Sequence, residues 1–157
     1  MLKIPKKYSV LLSMTIAVLF FVLCVFGAVV MPTLSEMLID TKDHIGSRAE
    51  ITDAGRTFVL ILAYVILADI MLADALVFRL LCRVRRELVF TAQSTALIRA
   101  VSWCCLLLCV FFAILGAYFQ LAFVVAFAAM FLGLCLRVVK NVIEEATEIK
   151  SENDMTI

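Results

Sequence analysis

Long uncharged apolar stretches alternate with short charged segments along this chain. The first stretch, residues 8–31, contains no charged residue, and at about 1.5 Å per residue it is long enough to cross a bilayer core of about 30 Å. Residues 57–78 form a second stretch and residues 100–136 a third. Because the third would measure about 55 Å as one helix, we expect two spans joined by a tight turn near residues 118–120. The pattern therefore predicts four membrane spans, at about 8–31, 57–78, 100–117 and 121–137.

The polar connections between these stretches contain signals for helix ends. In the longest connection, residues 32–56, Thr33-Leu-Ser-Glu36 has the spacing of a capping box directly after a proline. This spacing predicts a separate, short surface helix that ends near Asp40. Apolar residues at helical spacing from Leu80 to Leu88 indicate that the second helix continues out of the membrane. We expect that helix to break at Phe90-Thr91, where Thr91 can cap the next helix.

Basic residues are distributed unevenly among the connections, and this predicts the orientation in the membrane. Residues 79–99 contain five arginines and one glutamate, whereas residues 32–56 contain three basic and five acidic residues. Because cytoplasmic loops are enriched in Lys and Arg, we expect both termini and residues 79–99 to face the cytoplasm. There the basic cluster would anchor the chain to membrane lipids, with no direct contact to nucleic acid. The cluster consists of Arg79, Arg83, Arg85 and Arg86.

The composition points to a membrane protein. Hydrophobic residues make up 65% of the 157 residues, compared with about 45–50% in soluble domains. The sequence therefore predicts one all-α domain, an integral membrane four-helix bundle with cytoplasmic extensions of the second and fourth helices.

The candidate chemistry of the side chains is limited. The six cysteines lie mostly in apolar runs, so we interpret them as free thiols that pack as small hydrophobes. The single histidine, His44, is far from them in the sequence, and no nucleophile, phosphate-loop or dinucleotide motif is present. We expect no metal, no cofactor and no enzymatic activity.

Two aspartates lie inside the second span. Asp69 falls near its centre, where an ionisable residue points to a function because a charge there costs about 2.5–3.5 kcal/mol. A proton-coupled transporter would use Asp69 as its carrier; the alternative is a neutral Asp69 that is hydrogen-bonded inside the bundle and fixes helix packing. For Asp74, nearer the inner end, we expect a structural hydrogen bond or ion pair. The candidate partners at its level are Ser13, Thr15, Arg99 and Arg137.

The last segment, residues 138–157, is the part best suited to contact a soluble partner. Its pattern continues the fourth helix, with an apolar stripe and acidic residues elsewhere. The stripe consists of Val139, Val142, Ile143, Ala146 and Ile149. The predicted partner-binding residues are Glu144, Glu145, Glu148, Glu152, Asn153, Asp154, Met155, Thr156 and Ile157. Alternatively, the stripe packs against the chain's own basic segment. The glutamates at 144, 145 and 148 would then face Arg83, Arg85 and Arg86.

Two stretches of the chain resemble a known family. The tail ends in Glu152-Asn-Asp-Met-Thr-Ile157, which resembles the C-terminal signature Glu-Asn-Asp-Leu-Thr-Ile of the bacterial domain-of-unknown-function family numbered 2975. Residues 80–101 resemble that family's central segment: a basic helix, the Phe90-Thr91 break, and a helix with Leu97-Ile98-Arg99. Members are short four-span membrane proteins, often encoded beside a small helix-turn-helix regulator. The resemblance implies a multi-pass protein of the bacterial cytoplasmic membrane that has a cytoplasmic transcription factor as its partner.

These observations favour a non-enzymatic membrane regulator or scaffold. Its cytoplasmic face would bind a small helix-turn-helix protein and lower the free concentration of that protein. Two alternatives remain open. One is a small proton-coupled transporter or channel, in a homo-oligomer, that uses Asp69. The other is an immunity-type membrane protein that contacts a peptide toxin through residues 32–56.

Overall fold

Four long helices make up the described part of the chain. The computed structural model describes residues 6–40, 52–86 and 91–155. The helices are α1 (Lys6–Asp40), α2 (Asp53–Arg85), α3 (Ala92–Leu115) and α4 (Gln120–Met155). Each contains a segment long and apolar enough to cross a membrane. The prediction of an all-α, multi-pass membrane protein is therefore confirmed.

Each helix packs against its neighbours in the sequence, and successive helices run in opposite directions. α1 contacts α2, α2 contacts α3, and the most extensive contact is between α3 and α4. The start of α1, the end of α2, the start of α3 and the end of α4 consequently lie together. We call this the basic end of the bundle, because α2 ends there in the arginine cluster at residues 79–86.

Small residues allow α3 and α4 to approach each other closely. Ala122, Ala126 and Gly133 recur at helical spacing on α4 and are buried. A Cβ added at Gly133 would lie 3.3 Å from the Cβ of Cys105. The Ser102 hydroxyl of α3, which is only 1% exposed, donates a hydrogen bond of 3.1 Å to the Gly133 carbonyl. Such contacts give α3 a preference for α4 that apolar surface alone cannot provide, because lipid is as apolar as the helix surface.

The turn between α3 and α4 lies where the sequence predicts it. α3 ends at Leu115, and α4 begins at Gln120. A side chain larger than hydrogen at Gly116 would collide with the Phe123 ring, since an added Cβ would lie 2.8 Å from it. Phe119, which is 4% exposed, fixes the turn to the core at this end of the bundle. This core cluster consists of Ile39, Val59, Phe119 and Ala122.

α1 differs from the prediction because it continues through Pro32. The predicted separate surface helix is the last part of one helix from Lys6 to Asp40. Proline has no N–H, so the carbonyl of Ala28, four residues earlier, loses its donor within the helix. The Tyr64 hydroxyl of α2 donates a hydrogen bond of 3.1 Å to that carbonyl. A neighbouring helix thus replaces the missing bond, which is how membrane helices tolerate an internal proline.

The other local predictions have different outcomes. Thr91 is the N-cap of α3, with extended backbone (φ −140°, ψ 147°), as predicted. All six cysteines are free thiols; Cys24 and Cys104 are buried, but Cys135 is exposed, contrary to the expectation that all pack inside. α2 ends at Arg85, with Arg86 as its C-cap, earlier than the predicted break at Phe90-Thr91. Residues 41–51, which are part of the proposed toxin-contacting loop, and residues 87–90 lie outside the described residues.

Candidate functional site

The fourth helix is longer than a membrane crossing requires. Its 36 residues measure about 54 Å, whereas the hydrocarbon core is about 30 Å thick. Counted from Gln120, a crossing of that thickness ends near Arg137 and Lys140. The remaining helical residues, 141–155, form what we call the α4 extension.

Glu144 fastens the α4 extension to α3. Its Oε1 lies 3.5 Å from Nη2 of Arg99, and its Oε2 contacts Nζ of Lys140 one turn earlier on α4. The hydrogen bond from the Lys140 ammonium, together with the charges of Lys140 and Arg99, lowers the pKa of the Glu144 carboxyl. The side chains of Arg99 and Glu144 are 58% and 42% exposed. Because water screens exposed charges, this ion pair is a contact that can open rather than a large source of stability.

The predicted internal partners of Glu144 were wrong. Glu144 forms its ion pairs with Lys140 and with Arg99 of α3, rather than with the three arginines near the end of α2. The reason is the packing order: α4 lies mainly against α3, so the end of α2 is one helix away. Of those three arginines, Arg83 donates a hydrogen bond to the Gln93 side chain of α3, and the other two are exposed.

The apolar stripe predicted on the tail is divided between two faces. Ile143 and Ala146 are half-buried, whereas Val142 and Ile149 are 60% and 54% exposed. Glu145, which is exposed, lies three residues after Val142 and four before Ile149, so these three share one side of the helix. We call this the outer face of the α4 extension. It combines apolar and acidic groups that the contact with α3 does not use.

For the remaining predicted tail residues, the structure gives the exposure or the position in α4. Glu148 is exposed, Val139 is 46% exposed, and residues 152–155 form the last turn of α4. Thr156 and Ile157 lie outside the described residues. The structure therefore divides the predicted binding set: Glu144 engages α3, and Glu145 faces outward.

Contacts between helices also organise the basic end. The guanidinium of Arg137 on α4 lies 4.8 Å from the centre of the Trp103 ring on α3, in a cation–π contact. The side chains of Arg79, Arg85 and Arg86 are exposed. This end therefore presents positive charge around the base of the α4 extension, as expected for a surface next to anionic headgroups.

Asp69 lies at the middle of α2 and faces α3. The Cys104 thiol lies within reach of its carboxylate, and Cys105 is nearby. The Oδ2 atom is buried and has no hydrogen-bond partner within the described residues. An unpartnered polar atom at this depth is costly. The only signal for this pairing in the sequence is the position of both residues in mid-span, and Cys104 was interpreted as a packing residue.

Asp74 does not have the structural partners that the sequence suggested. Ser13 and Thr15 donate hydrogen bonds to backbone carbonyls of their own helix. Arg99 pairs with Glu144, and Arg137 stacks on Trp103. Asp74 lies instead between α2 and α1, close to the Cys24 thiol.

Comparisons with known proteins place the chain in a family without assigning an activity. No curated protein and no solved structure matches it significantly. The sequence profile of a family described as protein of unknown function (DUF2975) matches residues 3–157. The match includes both stretches that carry the sequence resemblance. The chain is therefore a member of the DUF2975 family.

Proposed function

We propose that this protein is a non-enzymatic regulator of the bacterial cytoplasmic membrane that holds a small helix-turn-helix transcription factor at its cytoplasmic face. The observation that carries this proposal is the geometry of the α4 extension. Glu144 attaches the extension to Arg99 through an exposed ion pair, and Val142, Glu145 and Ile149 point away from the bundle.

The chemistry of the outer face suits a basic partner. A DNA-binding domain carries positive charge where it contacts phosphate, and an acidic helix is complementary to that patch. Val142 and Ile149 add exposed apolar area on either side of Glu145. A partner bound through its basic patch is unable to bind DNA with the same surface, so capture at the membrane would change transcription.

The basic end of the bundle also bears on the orientation in the membrane and on how partner binding would be regulated. The exposed arginines of the basic end favour placing it, together with both termini, in the cytoplasm. The Arg99–Glu144 ion pair would control how firmly the extension rests on α3. A signal that opens the pair would alter the surface offered to the partner.

Transcription in cells tests this proposal. Chains that lack residues 151–157, or that carry Glu145→Lys, should change the transcription of the partner's target genes as much as loss of the whole protein. Glu36→Lys is the matched control, because Glu36 is an exposed acidic residue near the end of α1 that lies away from the basic end. We expect this variant to behave as wild type. Transcription that is unchanged by both tail variants would refute the proposal.

A second candidate function, proton-coupled transport in a homo-oligomer, is favoured by the Oδ2 of Asp69, which is buried and has no hydrogen-bond partner among the residues that the structure describes. An acid in mid-membrane can take up and release a proton when its surroundings change. Asp69→Asn in reconstituted vesicles should abolish proton flux while leaving expression and partner binding intact. Flux that persists in Asp69→Asn would exclude this role.

A further inference from the structure

Two arginines lie at the same level on α3 and α4, on the side of the bundle that leads to the basic end. Ser102 of α3 and Gly133 of α4 are level with each other, because a hydrogen bond of 3.1 Å joins them. Arg99 lies three residues beyond Ser102 toward the basic end, and Arg137 lies four residues beyond Gly133. Both arginines are therefore about 4.5–6 Å past that bond, on neighbouring helices.

The charges around these arginines do not cancel within the described part of the chain. Arg99 and Lys140 both pair with Glu144, whereas Arg137 forms no ion pair there and lies over the ring of Trp103. Three cations thus share one carboxylate. Arg99 is 58% exposed, and Arg137 and Trp103 are exposed as well. The surplus positive charge is consequently accessible from outside the bundle.

The surroundings of the two arginines are those of a lipid headgroup rather than of a soluble anion. The membrane crossing of α4 ends near Arg137, which places the arginines at the edge of the hydrocarbon core, where the phosphates of phospholipids lie. One turn deeper on each helix, Leu107 and Leu134 are 47% and 49% exposed. Trp103, beside them, is 55% exposed. These apolar side chains suit the acyl chains below a phosphate, and guanidinium groups bind phosphate strongly.

We propose that Arg99 and Arg137, next to Trp103, bind the phosphate of an anionic phospholipid, and that this phosphate competes with Glu144 for Arg99. The distance from Glu144 to Arg99 is 3.5 Å and both side chains are exposed, so this ion pair contributes little and is readily exchanged. A lipid phosphate that takes Arg99 frees the α4 extension from α3.

This inference rests on the proposed function in one respect, since it names the signal that opens the ion pair and so alters the surface offered to the partner. The competition between lipid and Glu144 needs no partner. An experiment on the chain alone therefore separates a failure of this inference from a failure of the proposed function.

The fluorescence of Trp103, the single tryptophan of the sequence, reports which lipid lies beside it. The full chain is reconstituted in phosphatidylcholine vesicles that contain increasing fractions of brominated phosphatidylglycerol or brominated phosphatidylcholine. Bromine quenches tryptophan at contact, so the two titrations give the relative affinity of the two lipids at this position. We expect phosphatidylglycerol to bind about fivefold more tightly, the contribution of about one basic residue next to an anionic headgroup.

Two substitutions should change this preference in opposite directions. Arg99→Gln should remove most of it, whereas Arg99→Lys keeps the charge and should retain it, which shows that the fold is intact. Glu144→Gln should increase the preference about threefold, because the competing carboxylate is lost. The matched controls are Arg86→Gln, at an exposed arginine that ends α2, and Glu145→Gln, at the exposed neighbour of Glu144. Both should bind phosphatidylglycerol as the wild type does.

The same titrations can overturn the proposal. Equal quenching by the two lipids in the wild type would exclude an anionic lipid site. Equal losses in Arg99→Gln and Arg86→Gln would indicate diffuse attraction to the basic end, and an unchanged preference in Glu144→Gln would exclude the competition. Water-soluble glycerol 1-phosphate should leave the quenching by brominated phosphatidylglycerol unchanged; displacement of the lipid by it would assign the site to a free phosphate instead.

Discussion

The hydrogen bond between Tyr64 and the Ala28 carbonyl gives a prediction that tests why α1 continues through Pro32. If the Tyr64 hydroxyl replaces the bond that the proline removes, Tyr64→Phe should destabilise the protein while preserving the ring and its packing. Interhelical hydrogen bonds in membranes contribute about 0.6 kcal/mol on average and at most about 1.7 kcal/mol. We expect a loss within that range for this bond of 3.1 Å.

The decisive comparison is the same substitution in a Pro32→Ala background. Alanine restores the backbone N–H, which then bonds to the Ala28 carbonyl within α1. The Tyr64 hydroxyl is no longer needed, so Tyr64→Phe should cost close to nothing there. The difference between the two backgrounds is the coupling energy, and we expect about 0.6 kcal/mol or more.

Equilibrium unfolding in mixed micelles, followed by the fluorescence of Trp103, the single tryptophan of the sequence, measures these changes. Tyr118→Phe is the control: it removes the same hydroxyl from another residue packed at the same end of the bundle, and its effect should not depend on Pro32. Equal costs of Tyr64→Phe in both backgrounds would refute the reasoning and leave the continuity of α1 without this explanation.

Three further outcomes follow from the contacts between α3 and α4. Gly133→Val should lower the free energy of unfolding by about 1–3 kcal/mol through overpacking, whereas the same change at Gly27, which has nothing within 4 Å of an added Cβ, should not. Ser102→Ala should lower the free energy of unfolding by about 1 kcal/mol, because the buried hydrogen bond from the Ser102 hydroxyl to the Gly133 carbonyl of α4 is lost. An unchanged free energy of unfolding would count against that bond. Glu144 has a lowered pKa in the folded chain, so the α4 extension should stay docked at neutral pH and detach as the pH falls below the usual range of a glutamate carboxyl. A spin-label distance between α3 and the extension measures this change, and Glu144→Gln should abolish its pH dependence.

The spans and the α3–α4 turn could be predicted because their causes are local. An uncharged stretch of about 55 Å does not fit one crossing of the bilayer, and Gly116 and Tyr118 mark the place where it divides. Thr91 likewise lies at the N-cap of α3, a position where threonine is common, although its side chain makes no capping hydrogen bond. Each of these features depends on residues adjacent in the sequence, so the pattern alone was sufficient.

The errors concern contacts between residues far apart in the sequence. A separate helix was expected after Pro32, but α1 continues through it, and Tyr64 of another helix donates a hydrogen bond to the carbonyl that the proline leaves without a donor. Glu144 was assigned to the wrong arginines, because the pairing with Arg99 depends on α4 packing against α3 rather than α2. The pairing of Asp69 with Cys104 depends on the register between α2 and α3. Nothing in a linear pattern of apolar and polar residues specifies these registers.

Affinity purification from gently solubilised native membranes tests the central claim, that the α4 extension binds a soluble regulator, most directly. The full chain is compared with a chain that ends at Lys140 and therefore lacks the α4 extension, each purified under identical conditions. We predict that a small, basic helix-turn-helix protein co-purifies with the full chain and is absent from the truncated one. Its recovery in equal amounts with both chains, or the absence of any soluble protein from both, would contradict the account.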